Sequence, residues 1–148
     1  MARFNLRVYA LITNEFNEIL VSDEYRYGQF FTKFPGGGVE DAEGIEAALK
    51  RELLEELGLT VGHMTFFYFN DFHQISAFDN SNLVAFYYCV SIQKKAVPFS
   101  IEPYEIPFFE EQEKQRWIAL SELDTSDLTF PIDRIVLEKF QKEFLPSS

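Results

Sequence analysis

The stretch Gly37–Leu59, GGVEDAEGIEAALKRELLEELGL, constrains this chain more than any other. It leaves a glycine-rich turn, Pro35-Gly36-Gly37-Gly38, and runs into a helical pattern dense with acids. The glycines allow positive φ and close backbone approach. The spacing predicts a helix from about Ala42 to Leu57, with Asp41 as N-cap and Gly58 as C-cap. On it, Ile45, Ala48, Leu49, Leu53 and Leu57 share one apolar stripe that has to be buried. Glu52, Glu55 and Glu56 fall at i, i+3 and i+4 and crowd onto a neighbouring face, where like charges cost roughly a few tenths of a kcal/mol per pair. Something positive must compensate. Arg51 is one candidate, and a divalent cation is the better one, because hard carboxylate oxygens suit Mg²⁺.

The rest of the chain reads as one domain around this element. Its 148 residues are 47 % apolar and 17 % aromatic, with 17 Phe, enough to build a sizeable core. A net charge of −11 argues against the broad basic surface that non-specific nucleic-acid binding needs, but leaves a small phosphorylated ligand open. Phe4 to Ile12 and Glu18 to Ser22 form a predicted hairpin about Asn14–Asn17, and Gln29 to Phe34 a short strand stopped by Pro35. His63 to Phe72 and Leu83 to Ile92 read as two long strands, apolar on nearly every residue and so packed on both faces. Gln93 to Gln115, with three prolines and a run of acids, is too long for a passive connector. Arg116 to Leu120 is a further short strand, and Ser121-Glu122-Leu123 starts a helical turn. Pro131 opens an amphipathic helix with Ile132, Ile135, Val136 and Phe140 facing inward. The single cysteine, Cys89, reads as a buried thiol in an apolar run, with no internal disulfide partner. No zinc-type Cys/His cluster and no membrane span is visible, so a cytoplasmic protein with no membrane partner is expected.

Gly37, Glu43, Arg51, Glu52, Leu53, Glu55, Glu56, Gly58 and Leu59 together fill the pattern Gly-x5-Glu-x7-Arg-Glu-apolar-x-Glu-Glu-x-Gly-apolar. That pattern resembles the Nudix box of the Nudix hydrolases at every fixed position. The resemblance covers 23 of the 148 residues. It implies an α/β/α sandwich with a mixed central sheet, and a single Nudix domain over residues 1–148. It also implies hydrolysis of a pyrophosphate bond in a nucleoside diphosphate derivative, dependent on Mg²⁺ with Mn²⁺ as a possible substitute. The same likeness assigns roles. Glu52, Glu55 and Glu56 would hold the metal, with the Gly36 carbonyl facing it. Glu52 would be base, ligand or both, Arg51 would orient the carboxylates, and Glu43 would support the turn. Counting back from Trp117 to an extra acid that some members use places it at Glu111.

Substrate identity lies outside the box. Gln74 stands where ADP-ribose hydrolases tend to carry a proline, and Ser76 where diadenosine polyphosphate hydrolases tend to carry a tyrosine. The extended motif of NADH hydrolases is missing too. Nucleoside triphosphate pyrophosphohydrolysis is left as the default, with Asp133 as the base-recognising residue. The alternatives are another substrate of the family (a nucleotide sugar, ADP-ribose or a dinucleoside polyphosphate), a nucleotide sensor that does not cleave, or an isomerase chemistry that Cys89 fits poorly. A small nucleotide is thus the expected partner, nucleic acid is not, and a homodimer is allowed.

Overall fold

The computed structural model describes residues 3–92 and 112–146. The expected metal ligand Glu111, and most of the acidic proline-containing segment, lie outside the described residues. Seven strands are described: β1 Phe4–Thr13, β2 Glu18–Arg26, β3 Gln29–Lys33, β4 Gly36–Gly38, β5 Thr65–Phe69, β6 Asn82–Ser91 and β7 Gln112–Ala119. Two α-helices, α1 Ile45–Leu57 and α2 Pro131–Phe144, accompany them, with a 3-10 turn at Thr125–Asp127. The strand order is β3-β2-β1-β6-β5, with β4 on β1 and β7 on β2. At one end of the β1–β6 pair the Asn82 N–H donates to the Arg3 carbonyl, and at the other the Ile92 N–H donates to the Thr13 carbonyl. Those two strands therefore run parallel, while the β1–β2, β2–β3 and β5–β6 pairs are antiparallel. The sheet is mixed.

By contact the chain divides into two compact units, Met1–Leu11 with Gly36–Ser91 and Ile12–Pro35 with Ile92–Ser148. In the first, β1 carries the core, with Val8, Ala10 and Leu11 fully buried. Helix α1 buries Ala48, Leu49 and Leu53, as its periodicity predicts, and leaves Ile45 and Leu57 partly exposed. It begins three residues later than expected, on Gly44 rather than Asp41. The reason is local competition. The Glu43 carboxylate accepts the Glu40 N–H at 2.9 Å and a paired contact from Arg51, which holds residues 40–43 in a turn. Gly58 ends the helix in the left-handed conformation, φ 69°, and its N–H reaches the Leu53 and Leu54 carbonyls. The expectation of two strands buried on both faces needs correction. β5 is shorter than expected and lies at the end of the strand order, with Phe66 and Phe69 49 % and 45 % exposed.

In the second unit, β2 pairs with β7 along most of its length, from Glu18↔Ala119 to Tyr25↔Gln112. That template extends β7 four residues before the expected Arg116. β2 also runs on past Ser22 to Arg26, where Tyr27 and Gly28, φ 55° and 73°, make the two-residue turn into β3. Both turn residues at positive φ give the hairpin turn whose twist matches the flanking strands. Helix α2 opens on Pro131 and buries Ile132, Val136, Leu137 and Phe140, while Ile135 is only half-buried. Gln141 ties it to the Leu120 and Leu123 carbonyls at 3.0 and 2.6 Å. Among the described residues no helix is long and apolar enough to cross a membrane.

Candidate active site

Arg51 brings positive charge to two of the crowded glutamates. Its Nη1 donates to Glu52 Oε1 at 3.1 Å and to Glu55 Oε2 at 3.2 Å. Its Nε and Nη2 grip Glu43 at 2.9 and 2.6 Å, and Nη2 also reaches the Gly38 carbonyl at 3.0 Å. One guanidinium thus fastens the helix to the turn and to β4. The paired bonds from Arg51, with the Glu40 N–H, hold the Glu43 carboxyl down at about 2, against the small opposing effect of burial. Glu43 in turn is the main cause of the raised Arg51 pKa. The clamp stays ionised across the neutral range.

Glycine is required on β4 for two different reasons. Gly36 has φ +146°, and a Cβ there would stand 2.1 Å from the Val8 carbonyl oxygen, so backbone itself blocks any side chain. At Gly37 a Cβ would stand 2.6–2.7 Å from the carboxylate atoms of Glu52. The Glu52 carboxylate therefore rests on the bare Cα of Gly37. Gly37→Ala is expected to leave the thermal midpoint nearly unchanged, since the flexible end of Glu52 can swing away. Turnover is expected to fall about a hundredfold, because a displacement of this size misaligns a reacting group. Initial rates beside a melting curve check it; full activity in Gly37→Ala would dissociate the contact from function.

Of the residues expected at the site, the structure brings Arg51, Glu52 and Glu55 of α1 together with Glu43 of the preceding turn, beside Gly36–Gly38. Glu52 is the enclosed acid, its side chain 14 % exposed, against 59 % for Glu55. Glu56 is half-buried on the same helix. Among the described residues no three Asp, Glu, His or Cys side chains gather closely enough to hold a metal ion. In donor type the set still fits Mg²⁺: hard carboxylate oxygens, with the enclosed one presented over a glycine that offers no steric barrier. Asp133, expected to read a base, lies buried in the first turn of α2 in the second unit.

The sequence reading passed over a buried charged network in that second unit. On one face of β2, Glu24 accepts from Ser22 Oγ at 2.9 Å and Arg26 Nε at 3.1 Å, and pairs with Lys33 Nζ at 3.1 Å. Glu113 stands opposite Glu24 in the β2–β7 ladder. Its Oε2 is buried without a hydrogen bond, 3.7 Å from Arg26 Nη2. Burial pushes the Glu24 carboxyl up, but the Lys33 charge and the bonds from Lys33, Ser22 and Arg26 outweigh it and leave it below the ordinary range. Burial and then the Glu24 charge push Glu113 the other way, upward. On the opposite face Asp23 accepts from Thr32 Oγ1 at 2.6 Å and Arg116 Nε at 2.7 Å. The polar run Ser22-Asp23-Glu24 inside a strand was the available signal.

The NUDIX domain family model matches residues 3–140. The RNA pyrophosphohydrolase of Shewanella frigidimarina is 39 % identical over 61 residues, which are 41 % of this chain and 34 % of that protein. The chain thus spans about a third of the length of the curated relatives it matches. Among solved structures, the MutT Nudix hydrolase of Burkholderia pseudomallei has a TM-score of 0.67 at 26 % identity, covering 92 % of this chain and 97 % of that one. A MutT from work on Aliivibrio salmonicida and Vibrio cholerae has a TM-score of 0.68 at 25 % identity, covering 96 % and 100 %. The fold is the Nudix α/β/α sandwich with a mixed sheet that the box implies. The chain belongs to the Nudix family.

Proposed function

We propose that this chain is a Mg²⁺-dependent pyrophosphohydrolase that cleaves a phosphoanhydride bond of a nucleotide, acting as a single Nudix domain. The observation that carries the reading is the Glu52 carboxylate, seated on Gly37 and held from the side by Arg51. In it, Glu52 accepts the proton of the attacking water, and Arg51 fixes the angle at which the carboxylate is presented. Glu43 keeps Arg51 in place. Glu52, Glu55, Glu56 and the Gly36 carbonyl are the groups that would hold Mg²⁺, with Mn²⁺ as a substitute. A cation so held would supply charge neutralisation at the phosphates and a more acidic water.

A nucleoside triphosphate is the substrate this reading favours. A second reading, a 5′-triphosphate end of RNA, is favoured by the RNA pyrophosphohydrolases that share about two-fifths of their aligned residues with this chain. The bond broken is of the same kind, and a net charge of −11 suits a short end better than a long strand. The test is a Mg²⁺-dependent panel of nucleoside triphosphates, nucleotide sugars, ADP-ribose, dinucleoside polyphosphates and a short 5′-triphosphorylated RNA, with products identified by mass. Release of pyrophosphate and a nucleoside monophosphate from a triphosphate is expected. Turnover confined to the RNA installs the second reading; selective cleavage of ADP-ribose or a nucleotide sugar removes both.

A further inference from the structure

Strand β4 is three glycines with different chemistry on its two faces. Gly37 opens onto the Glu52 carboxylate. Gly36 and Gly38 stand opposite Tyr9 and Arg7 in the β1–β4 ladder, and directly opposed residues point to the same face. There the nearest atom to a Cβ at Gly38 would be Arg7 Nη1, at 3.6 Å. The backbone carbonyl of the same glycine accepts from Arg51. Two guanidinium groups therefore flank Gly38, one from β1 and one from α1.

Arg7 is held with some care. Its Nε donates to the Tyr9 phenol oxygen at 2.7 Å, and its guanidinium carbon lies 5.8 Å from the centroid of the Tyr9 ring. The Tyr9 ring packs against Tyr87, centroids 5.4 Å apart, and both tyrosines are buried. The Tyr9 phenol thereby fixes the plane of the guanidinium. The unit as a whole is acidic, and α1 alone contributes Glu46, Glu52, Glu55 and Glu56. A pre-oriented planar fork beside a residue with no side chain matches the oxygens of a phosphate, and orientation in advance reduces what is lost on binding.

We propose that Arg7 is a substrate-binding residue, its guanidinium gripping a phosphate of the nucleotide past the bare end of β4. This rests on the pyrophosphohydrolase reading above and adds a residue from outside the box to it. Steady-state kinetics with four nucleoside triphosphates and Mg²⁺ test it in Arg7→Gln, Arg7→Lys and Tyr9→Phe. Arg7→Gln is expected to raise KM about tenfold for all four bases, the loss of one charge-assisted contact, with kcat within about threefold of the parent. Arg7→Lys, which keeps the charge and loses the fork, recovers part of the loss. Tyr9→Phe, which keeps the ring on Tyr87 and loses the phenol oxygen, shifts KM the same way by a smaller factor. An unchanged KM, a fall in kcat at constant KM, or an increase confined to one base would each overturn the phosphate assignment. Equilibrium binding of a non-hydrolysable triphosphate analogue separates the two proposals. If the parent cleaves nothing but binds the analogue, and Arg7→Gln weakens that binding about tenfold, Arg7 stands and the hydrolase reading falls. If the parent neither binds nor cleaves, both fall.

Discussion

Glu52→Gln is expected to lower Mg²⁺-dependent turnover about a thousandfold and leave the protein folded. The substitution keeps the shape of the side chain and an oxygen that can still accept from Arg51 Nη1, so the clamp on β4 survives. What it removes is the negative charge and the basic oxygen held over Gly37. Glu56→Gln, on the same helix, is expected to act in the same direction. Rates measured with saturating Mg²⁺, beside melting curves for both variants, decide the matter. Full activity in both would remove the mechanism proposed here.

The largest expected effect on stability lies away from the box, at Lys33. Its side chain is 8 % exposed and that of its partner Glu24 is 4 % exposed. Lys33→Met keeps the length of the stem and leaves the buried carboxylate with Ser22 and Arg26 alone. Removing one partner of a buried pair costs about 3–5 kcal/mol, and the two remaining donors place this case at about 3 kcal/mol. The pH dependence has a definite sign. In the parent the folded-state pKa of Glu24 is lowered from 4.5, so its contribution is present above that value and is lost as pH falls through the lowered one. In Lys33→Met the burial that pushes Glu24 upward is no longer outweighed. The carboxyl then takes up a proton on acidification, which relieves the variant. Chemical denaturation is expected to show the penalty shrinking as pH is lowered from neutral to the ordinary Glu value of 4.5, and nearly vanishing in a Glu24→Gln background. A penalty equal at both pH values would mean that lost packing, not the stranded charge, is responsible.

How far the sequence could carry these conclusions depends on the range of each interaction. Helix α1 and its Gly58 cap were legible because periodicity and a left-handed glycine are properties of a few neighbouring residues. The start of the helix was misplaced because Glu43 bonds to a residue eight positions along, and Asp41 alone looked like a cap. The need for positive charge beside Glu52 and Glu55 was legible from their spacing, and Arg51 is one group that supplies it. The seat of Glu52 on Gly37 was only hinted at, since the turn and the acid sit fifteen residues apart. β5 was read as buried because a continuous apolar run looks alike in a central strand and at a border, and only the strand order tells them apart. The Glu24–Lys33 pair and its Glu113 neighbour arise from the register of β2 with β3 and β7, so the polar residues of β2 hint at a network without naming its partners.

One irregularity in β5 bears on how the molecule behaves in a crowd. Opposite β6, Phe66 faces Tyr88 and Tyr68 faces Tyr87, so the register shifts by one residue at Phe67. A phenylalanine-rich strand at the border of a sheet is a template on which other chains can stack without limit. The shift kinks that border and puts its outward donors and acceptors out of step with any straight strand laid against them. Among the described residues β5 is the rim of the sheet, and the shift at Phe67 sets aromatic rings there beside a backbone ill-matched to runaway polymerisation.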